Sequence, residues 1–142
     1  MTPSFIKSAA SATDWINDST TEVVLVGRSN VGKSSLINVL ANTKIAITSK
    51  TPGRTQLANF YNFGDFRLVD LPGYGYAKLS KSKQTNLVDI IDSVLMTRPN
   101  IFLVVQVVDA NVITKEDIAM NKYLSSRFAN VLVVLNKEDK SK

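Results

Sequence analysis

A glycine-rich segment that ends in a lysine and a serine is the clearest chemical signal in this sequence. Residues 27–34 read GRSNVGKS and match the pattern G-x-x-x-x-G-K-S/T in full. In this pattern backbone N–H groups surround a phosphate chain, the lysine reaches the β- and γ-phosphates, and the hydroxyl binds Mg²⁺. The segment lies between a predicted strand and a predicted helix, as the pattern requires. It therefore predicts a nucleoside triphosphate site, the alternative being a glycine-rich turn that matches by chance.

A second motif, D-x-x-G, follows another predicted strand at Asp70-Leu71-Pro72-Gly73. A carboxylate at this place can hold Mg²⁺ directly or through water, and the Gly73 N–H can approach a γ-phosphate. Alone the motif is weak, because Asp before a Pro-Gly turn is common in purely structural loops. Here it follows the glycine-rich segment of residues 27–34 (the P-loop) and lies at the end of a second strand. We therefore interpret it as part of the same site.

The third motif is N-K-x-D at residues 136–139, directly after a predicted buried strand. Asp139 can accept hydrogen bonds from N1–H and N2–H₂ of guanine, a donor pair that adenine lacks. Asn136 can meet the O6/N7 edge, and the stem of Lys137 can cover the ring. A polar loop is the alternative elsewhere in a sequence, but three motifs in this order predict a guanine nucleotide.

A threonine-containing turn, TPGRT at residues 51–55, lies where a nucleotide-sensitive loop is expected. Thr55 can complete the Mg²⁺ shell when a γ-phosphate is present, by analogy with other loops that a γ-phosphate orders. The alternative is a Pro-Gly turn without a ligand.

Composition narrows the remaining chemistry. The 142 residues contain no Cys and no His, so disulfides, thiolate nucleophiles, Cys/His zinc sites and Ser-His-Asp triads are excluded. The formal net charge of +5 suits RNA or the nucleotide itself, and a solvated basic face is an equal alternative. No signal-peptide pattern is present. The longest strongly apolar stretch, at residues 101–108, contains Gln106 and is too short to span a bilayer. We expect a soluble, cytoplasmic, monomeric protein.

Strand and helix patterns alternate along the chain. Buried strands are predicted at residues 22–26, 101–110 and 131–136, helices at 34–40, 87–95 and 114–128, and a hairpin from 57–63 and 65–71. Thr114 and Asp117 predict a capping box at the start of the last helix. This alternation predicts a three-layer α/β/α P-loop fold, a mostly parallel sheet with one antiparallel edge strand from the hairpin. Residues 1–20 are expected to be an extension packed on a nucleotide-binding domain of residues 21–142. Ligands belong at the carboxyl ends of the strands.

Four strings together, GRSNVGKSS, SKTPGRTQ, DLPGYGYAKLSKS and NKED, resemble the EngB family (also called YihA or YsxC) of bacterial GTPases, in the Era/TrmE-like branch. The resemblance runs from about residue 5 to the end, and GRTQ and DLPGYGYA are specific to this family. It implies GTP hydrolysis, a role in assembly of the large ribosomal subunit and an older link to cell division and septation. It also implies that Thr55, rather than Thr51, is the magnesium ligand.

Motifs and resemblance together give the expected site. The expected catalytic residues are Lys33, Thr55, Gly73 and Asn30. The expected Mg²⁺ ligands are Ser34, Thr55 and Asp70. The nucleotide-binding set is Gly27, Arg28, Ser29, Asn30, Val31, Gly32, Lys33, Ser34, Ser35, Gly53, Arg54, Thr55, Asp70, Leu71, Pro72, Gly73, Asn136, Lys137 and Asp139.

Two residues bear on the mechanism. Tyr74 follows Gly73, where many small GTPases carry a water-orienting Gln, so intrinsic hydrolysis is expected to be slow without a partner or cation. In similar GTPases the position of Asn30 coordinates K⁺, and the alternative is that Asn30 only shapes the loop. Lys78, Lys81 and Lys83 form a candidate patch for rRNA of the large subunit, with a solvated loop at least as plausible. Tyr74 and Tyr76 could stack on RNA bases, but aromatic residues at such a place usually pack onto the domain itself.

The resemblance also sets expectations for the carboxyl end. Family members continue with a Ser-Ala-type loop at the guanine, a last strand and a helix, whereas this sequence ends at Lys142. Without that helix, apolar sheet surface is expected to be uncovered. Without that loop, one contact to the base is missing, so weaker guanine affinity is expected. A guanine-nucleotide-dependent docking module with negligible turnover is the second hypothesis. A P-loop nucleoside or nucleotide kinase is disfavoured, because N-K-x-D has no place in one.

Overall fold

The computed structural model describes residues 2–9, 15–16, 18–28, 31–46, 57–75 and 81–136. These ranges contain six strands and three helices. In chain order they are β1 (Ser4–Ala9), β2 (Glu22–Gly27), α1 (Lys33–Ala41), β3 (Ala58–Asn62), β4 (Arg67–Asp70), α2 (Lys81–Thr97), β5 (Ile101–Asp109), α3 (Lys115–Arg127) and β6 (Val131–Asn136).

The strands form one sheet in the order β1-β3-β4-β2-β5-β6. The pairs β2–β4, β2–β5 and β5–β6 are parallel, and β3 runs antiparallel to both of its neighbours. The predicted fold class is confirmed, with one difference in detail. The antiparallel strand is not at the edge, because β1 pairs outside it.

β1 belongs to the segment that the sequence analysis treats as an extension. Its residues SFIKSA lack a β-branched run, and only Ala9 is fully buried. The strand is held instead by backbone pairing with β3 and by local contacts. The Ser8 hydroxyl donates to Asn59 Oδ1 at 2.6 Å, and the Phe5 and Tyr61 rings meet edge to face at 5.5 Å. Such an edge strand leaves little signal in the apolar pattern.

Alternation along the central strands produces two apolar layers, one on each face of the sheet. In β2, Val24 and Val26 point to one layer and Leu25 points to the other. Ile37 of α1 packs in the layer of Leu25, and α2 and α3 cover the opposite face. The buried residues that these two helices contribute there are Ile91, Val94, Leu95 and Leu124. This arrangement is the predicted three-layer sandwich.

The helix ends fit their sequence signals. At the start of α3 the Thr114 side chain accepts from the Asp117 N–H, and the Asp117 carboxylate accepts from the Thr114 N–H at 2.9 Å. This is the predicted capping box. Asn42, the C-cap that follows α1, adopts the left-handed conformation with φ 55°, and its backbone N–H donates to carbonyl oxygens of the last turn.

An ion cluster is buried at the amino ends of β2 and β4. Glu22, fully buried, accepts from Arg67 Nη1 at 2.9 Å and from Arg98 Nε and Nη2, each at 2.7 Å. Arg67 also donates to the exposed carboxylate of Asp18. Two guanidinium groups therefore neutralise one interior carboxylate, at the opposite ends of these strands from the three motifs.

β6 lies at an edge of the described sheet, and apolar side chains on it are exposed. Leu132 is 51 % exposed and Leu135 is 55 % exposed, and Phe102 on β5 is 63 % exposed. The predicted association through an uncovered apolar surface stays a prediction. None of the helices in the described ranges has both the length and the apolar character that crossing a membrane requires.

Candidate functional site

The three motifs meet at one edge of the sheet. Gly27 ends β2, Asp70 ends β4 and Asn136 ends β6, and these strands run in the same direction. Because the carboxyl ends of parallel strands share an edge, segments far apart in sequence become neighbours there. This is the crevice in which open α/β sheets bind ligands.

Backbone geometry explains the two glycines of the first motif. A Cβ on Gly27 would lie 2.9 Å from the Val107 carbonyl oxygen and 3.0 Å from Val31 Cγ2, so no side chain fits. Gly32 is the N-cap of α1 in the left-handed region, with φ 92°, which favours glycine. No side chain caps α1 and no acidic residue lies in its first turn. Its N–H groups and partial positive charge therefore suit an anion such as phosphate.

Lys33 joins the first motif to the second. Its Nζ donates to Asp70 Oδ1 at 2.9 Å and to the Leu71 carbonyl oxygen at 3.0 Å. Both side chains are largely buried, at 12 % and 4 % exposure. The structure thus places a cation and a carboxylate side by side at the amino end of α1, where phosphates and a hard metal ion would be recognised.

Asn136 joins the third motif to the first. Its Nδ2 donates to the Val31 carbonyl oxygen at 2.9 Å, across the crevice from β6 to the glycine-rich loop. The predicted contact of Asn136 with the O6/N7 edge of guanine stays a prediction. In the structure its amide supports the loop that would hold the phosphates.

The segment after Asp70 is fixed to the end of β2 by its backbone. The Leu71 N–H donates to the Leu25 carbonyl at 3.1 Å, and the Tyr74 N–H donates to the Gly27 carbonyl at 3.1 Å. Gly73 is buried between these two attachments, next to the glycine-rich loop. Leu71 is fully buried, and Pro72 is buried as well.

The Tyr74 side chain turns into the domain. Its hydroxyl donates to Asp117 Oδ1 of α3 at 2.7 Å and accepts from Gln106 Nε2 at 3.1 Å. Burial is the main cause that raises the pKa of Tyr74, and the adjacent Asp117 carboxylate raises it further. The tyrosine is therefore neutral across the physiological range. Its interpretation as an aromatic residue packed on the domain is confirmed.

Sequence reasoning missed the partners of Tyr74. Gln106 was noted only as a polar interruption of an apolar strand, and Asp117 only as part of the capping box. Gln106 Nε2 also donates to the Asp117 carbonyl at 2.9 Å, and its Oε1 accepts from Asn121 at 3.1 Å. Arg28 Nε lies 3.8 Å from Asp117 Oδ2. A glutamine in the middle of a buried strand was the available signal, because a buried amide needs partners.

The donors expected for Mg²⁺ are partly within the described residues. Ser34, half-buried in the first turn of α1, and Asp70 supply hard oxygen atoms, the ligands that Mg²⁺ prefers. Among the residues that the structure describes, no group of three or more His, Cys, Asp and Glu side chains could hold a metal ion without further ligands. The predicted Mg²⁺ ion would be bound by one or two of these side chains together with phosphates, and it stays a prediction.

Several predicted residues lie outside the described ranges. They are Ser29, Asn30, Gly53, Arg54, Thr55, Lys137 and Asp139 of the nucleotide-binding set, together with Lys78 and Tyr76. Ser35 lies exposed on the first turn of α1. The roles assigned to all of these residues stay predictions.

Comparison with known proteins agrees with this geometry. The family model described as 50S ribosome-binding GTPase matches residues 22–137. A probable GTP-binding protein EngB of Malacoplasma penetrans (strain HF-2) is 60 % identical over 138 residues, covering 97 % of this chain and 74 % of the relative. The chain belongs to the EngB family of GTPases. The resemblance to the EngB family that the sequence motifs indicate is therefore confirmed.

Solved structures support the same assignment. A crystal structure of a probable GTP-binding protein engB superposes with a TM-score of 0.70 at 29 % identity, covering 84 % of this EngB-family chain and 72 % of that protein. Era, solved with MgGDPNP and nucleotides 1506–1542 of 16S ribosomal RNA, superposes with a TM-score of 0.68 at 27 % identity, covering 87 % and 42 %. This EngB-family protein is thus a GTP-binding P-loop enzyme, a GTPase.

Proposed function

We propose that this protein is a GTP-hydrolysing molecular switch in assembly of the large ribosomal subunit. The observation that carries the proposal is the direct contact among the three motifs. Lys33 of the first motif bonds Asp70 of the second, and Asn136 of the third bonds Val31 of the first. A site assembled in this way can sense phosphate, metal and base together.

Each residue of the site has a specific task in the proposal. The loop N–H groups of residues 27–34 and the Lys33 ammonium stabilise charge on the transferring γ-phosphoryl group. Ser34, Thr55 and Asp70 would hold Mg²⁺, which supplies charge neutralisation on the phosphates. The Gly73 N–H would approach the γ-phosphate. Asp139 would select guanine through its N1–H and N2–H₂ groups, and the stem of Lys137 would cover the ring.

Asn30 gives the proposal a cation requirement. A K⁺ ion bound there would add positive charge at the phosphates of a protein that has Tyr74 where many small GTPases carry a water-orienting glutamine. We expect GTP hydrolysis to be faster in KCl than in NaCl at the same ionic strength. Equal rates in the two salts would remove K⁺ from the mechanism and leave Asn30 a structural role.

The ribosomal part of the proposal has two supports. The net charge of +5 favours a polyanionic partner. Era, a structural neighbour, has been solved with a piece of 16S ribosomal RNA. We propose that the chain acts in the cytoplasm as a monomer and binds the large subunit or its rRNA, with Lys78, Lys81 and Lys83 as the contact patch.

Single-turnover GTP hydrolysis with and without purified large-subunit particles tests this function. We expect slow hydrolysis alone, acceleration by the particles, and co-sedimentation with them in a non-hydrolysable GTP analogue but not in GDP. Lys33→Ala should lower the rate by about 100-fold, because a positioned donor to the developing charge is lost. Lys122→Ala, which removes an exposed lysine on α3, is the matched control and should stay within about twofold. Particles that neither bind nor accelerate would contradict the ribosomal role.

A second candidate function is a guanine-nucleotide-dependent docking module with negligible turnover. It is favoured by the position of Tyr74, whose hydroxyl is engaged with Asp117. The side chain in the place of the water-orienting glutamine is therefore turned away from the nucleotide crevice. Nucleotide-dependent binding to particles without any acceleration of hydrolysis would select this function over the first.

A further inference from the structure

A buried polar network connects the residue beside Gly73 to the start of α3. Tyr74 is 8 % exposed, Asp117 2 % and Gln106 1 %, and the three share the hydrogen bonds described above. A phenylalanine could fill the same apolar volume without any polar partner. The Tyr74 hydroxyl instead donates one buried hydrogen bond and accepts another. These two bonds fix the orientation of the side chain.

Asp117 is itself rigidly held. Its Oδ2 accepts from the Thr114 N–H at 2.9 Å and from the Thr114 hydroxyl at 3.1 Å, and its own N–H donates back to that hydroxyl at 3.2 Å. The other oxygen, Oδ1, is the one that Tyr74 contacts. One carboxylate therefore caps α3 with one oxygen and fixes Tyr74 with the other.

Backbone contacts on both sides of Tyr74 link the position of Gly73 to the hydrogen bond between Tyr74 and Asp117. The Tyr74 N–H is bonded to the Gly27 carbonyl, and Arg28 pairs with Tyr74 as an isolated parallel bridge. A Cβ on Gly75 would come 2.8 Å from Arg28 Cγ, so the chain on the other side of Tyr74 also runs tightly against the loop. A hydrogen bond that fixes the Tyr74 hydroxyl therefore also restrains Gly73, the residue directly before it.

We propose that Tyr74 is a positioning residue that presets Gly73 for the γ-phosphate through its bond to Asp117. The inference rests on the role of Gly73 in the proposed function. A segment that is already ordered loses little conformational entropy when the γ-phosphate binds. GDP has no γ-phosphate, so its affinity does not depend on this ordering. The contact therefore contributes to the preference for GTP over GDP. By linkage, the γ-phosphate in turn stabilises the start of α3.

Tyr74→Phe, which removes only the hydroxyl, tests the proposal. Titrations with a labelled non-hydrolysable GTP analogue and with labelled GDP, both with Mg²⁺, give the two affinities. We expect analogue affinity to fall by about tenfold and GDP affinity to change by less than about twofold, since one charge-assisted hydrogen bond is lost. Tyr123→Phe is the matched control. Its hydroxyl donates to Asp92 at the same 2.7 Å distance, whereas the Tyr74 hydroxyl donates to Asp117. An equal loss for both nucleotides, or any gain in analogue affinity, would overturn the proposal.

Glycine amides provide a readout of position that a merely stabilising contact would not change. The chain has six glycines, so ¹⁵N-glycine labelling gives six backbone signals, two of which flank Tyr74. In nucleotide-free Tyr74→Phe we expect the Gly73 and Gly75 signals to shift or broaden, while that of Gly64 in the β3–β4 hairpin stays in place. Tyr123→Phe should leave all six unchanged. Unchanged Gly73 and Gly75 signals in Tyr74→Phe would contradict the positioning role.

A measurement on the unmodified chain does not depend on any variant folding. Hydrogen exchange at residues 115–120 should be slower with the GTP analogue than with GDP, because the γ-phosphate stabilises the start of α3 through Tyr74. Equal protection in the two states would also overturn the proposal. If the unmodified chain bound neither nucleotide, the proposed function would fail, whereas the glycine signals would still report whether Tyr74 fixes its segment.

Discussion

Replacing Glu22 by Gln perturbs the buried ion cluster while keeping the shape of the side chain. Glu22 is fully buried and bonds two guanidinium groups, Arg67 at 2.9 Å and Arg98 at 2.7 Å. An amide carries no charge, and its NH₂ group would face a guanidinium donor. Removing one partner of a buried ion pair costs about 3–5 kcal/mol, so we expect a loss of about 3 kcal/mol in the free energy of unfolding.

The size of this loss can be measured on a folded protein. At about 0.05–0.15 kcal/mol per residue, a domain of this length has a stability of about 7–20 kcal/mol, so the variant should still fold. Urea unfolding should show a midpoint lower by about 1–2 M with an unchanged slope. GDP affinity should not change, because β2 separates the cluster from the glycine-rich loop by roughly 17 Å. A stability loss below about 1 kcal/mol would refute the assignment of Glu22 as the neutralised centre of the cluster.

Three further predictions concern other contacts of the structure. Asp70→Asn should weaken GTP affinity by about tenfold in Mg²⁺ but not in EDTA, because it removes the charge of the proposed metal ligand and releases Lys33 for the phosphates. A loss of the same size in EDTA would contradict this division of roles. Asn136→Ala should weaken GDP affinity by at least about fivefold through loss of its bond to the loop, whereas Asn130→Ala, which removes a similar amide–carbonyl bond at 3.1 Å far from the loop, should leave affinity unchanged in the same titration. Asp18 has a pKa below its usual 3.8, mainly because an arginine of the cluster donates to it, so its contribution to stability is complete above that value and is lost as the pH falls through the lowered folded-state pKa. Urea unfolding of Asp18→Asn should therefore differ from the unmodified chain at pH 7 and converge with it in acid, and a constant difference would exclude this linkage.

The elements with buried faces were predictable from sequence because burial leaves a periodic pattern. The strand at Val131–Asn136 has the predicted bounds, and the α3 capping box was readable from Thr114 and Asp117. α2 begins at Lys81, six residues before the predicted apolar stripe, because its first turns are polar. An apolar stripe marks the buried part of a helix rather than its full length.

The candidate site was predictable where a short motif carried the chemistry and not where distant residues share a contact. Lys33 and Asp70 were each assigned separately, and their motifs converge as predicted. The bond between Tyr74 and Asp117 joins residues 43 positions apart and belongs to no motif. Such a pair becomes visible only when the fold brings a strand end beside a helix start.

The order of strands in the sheet has a consequence for when this domain can form during synthesis. β2 is made early, yet it lies between β4 and β5, and the partner of Glu22 at Arg98 follows 76 residues later. The glycine-rich loop acquires its last described support later still, because Asn136, which donates to the Val31 carbonyl, lies 105 residues after Val31. A nascent chain thus exposes its phosphate-binding loop long before it can complete it. Nucleotide binding should accordingly begin only near the end of translation of these residues, when β6 has left the ribosome.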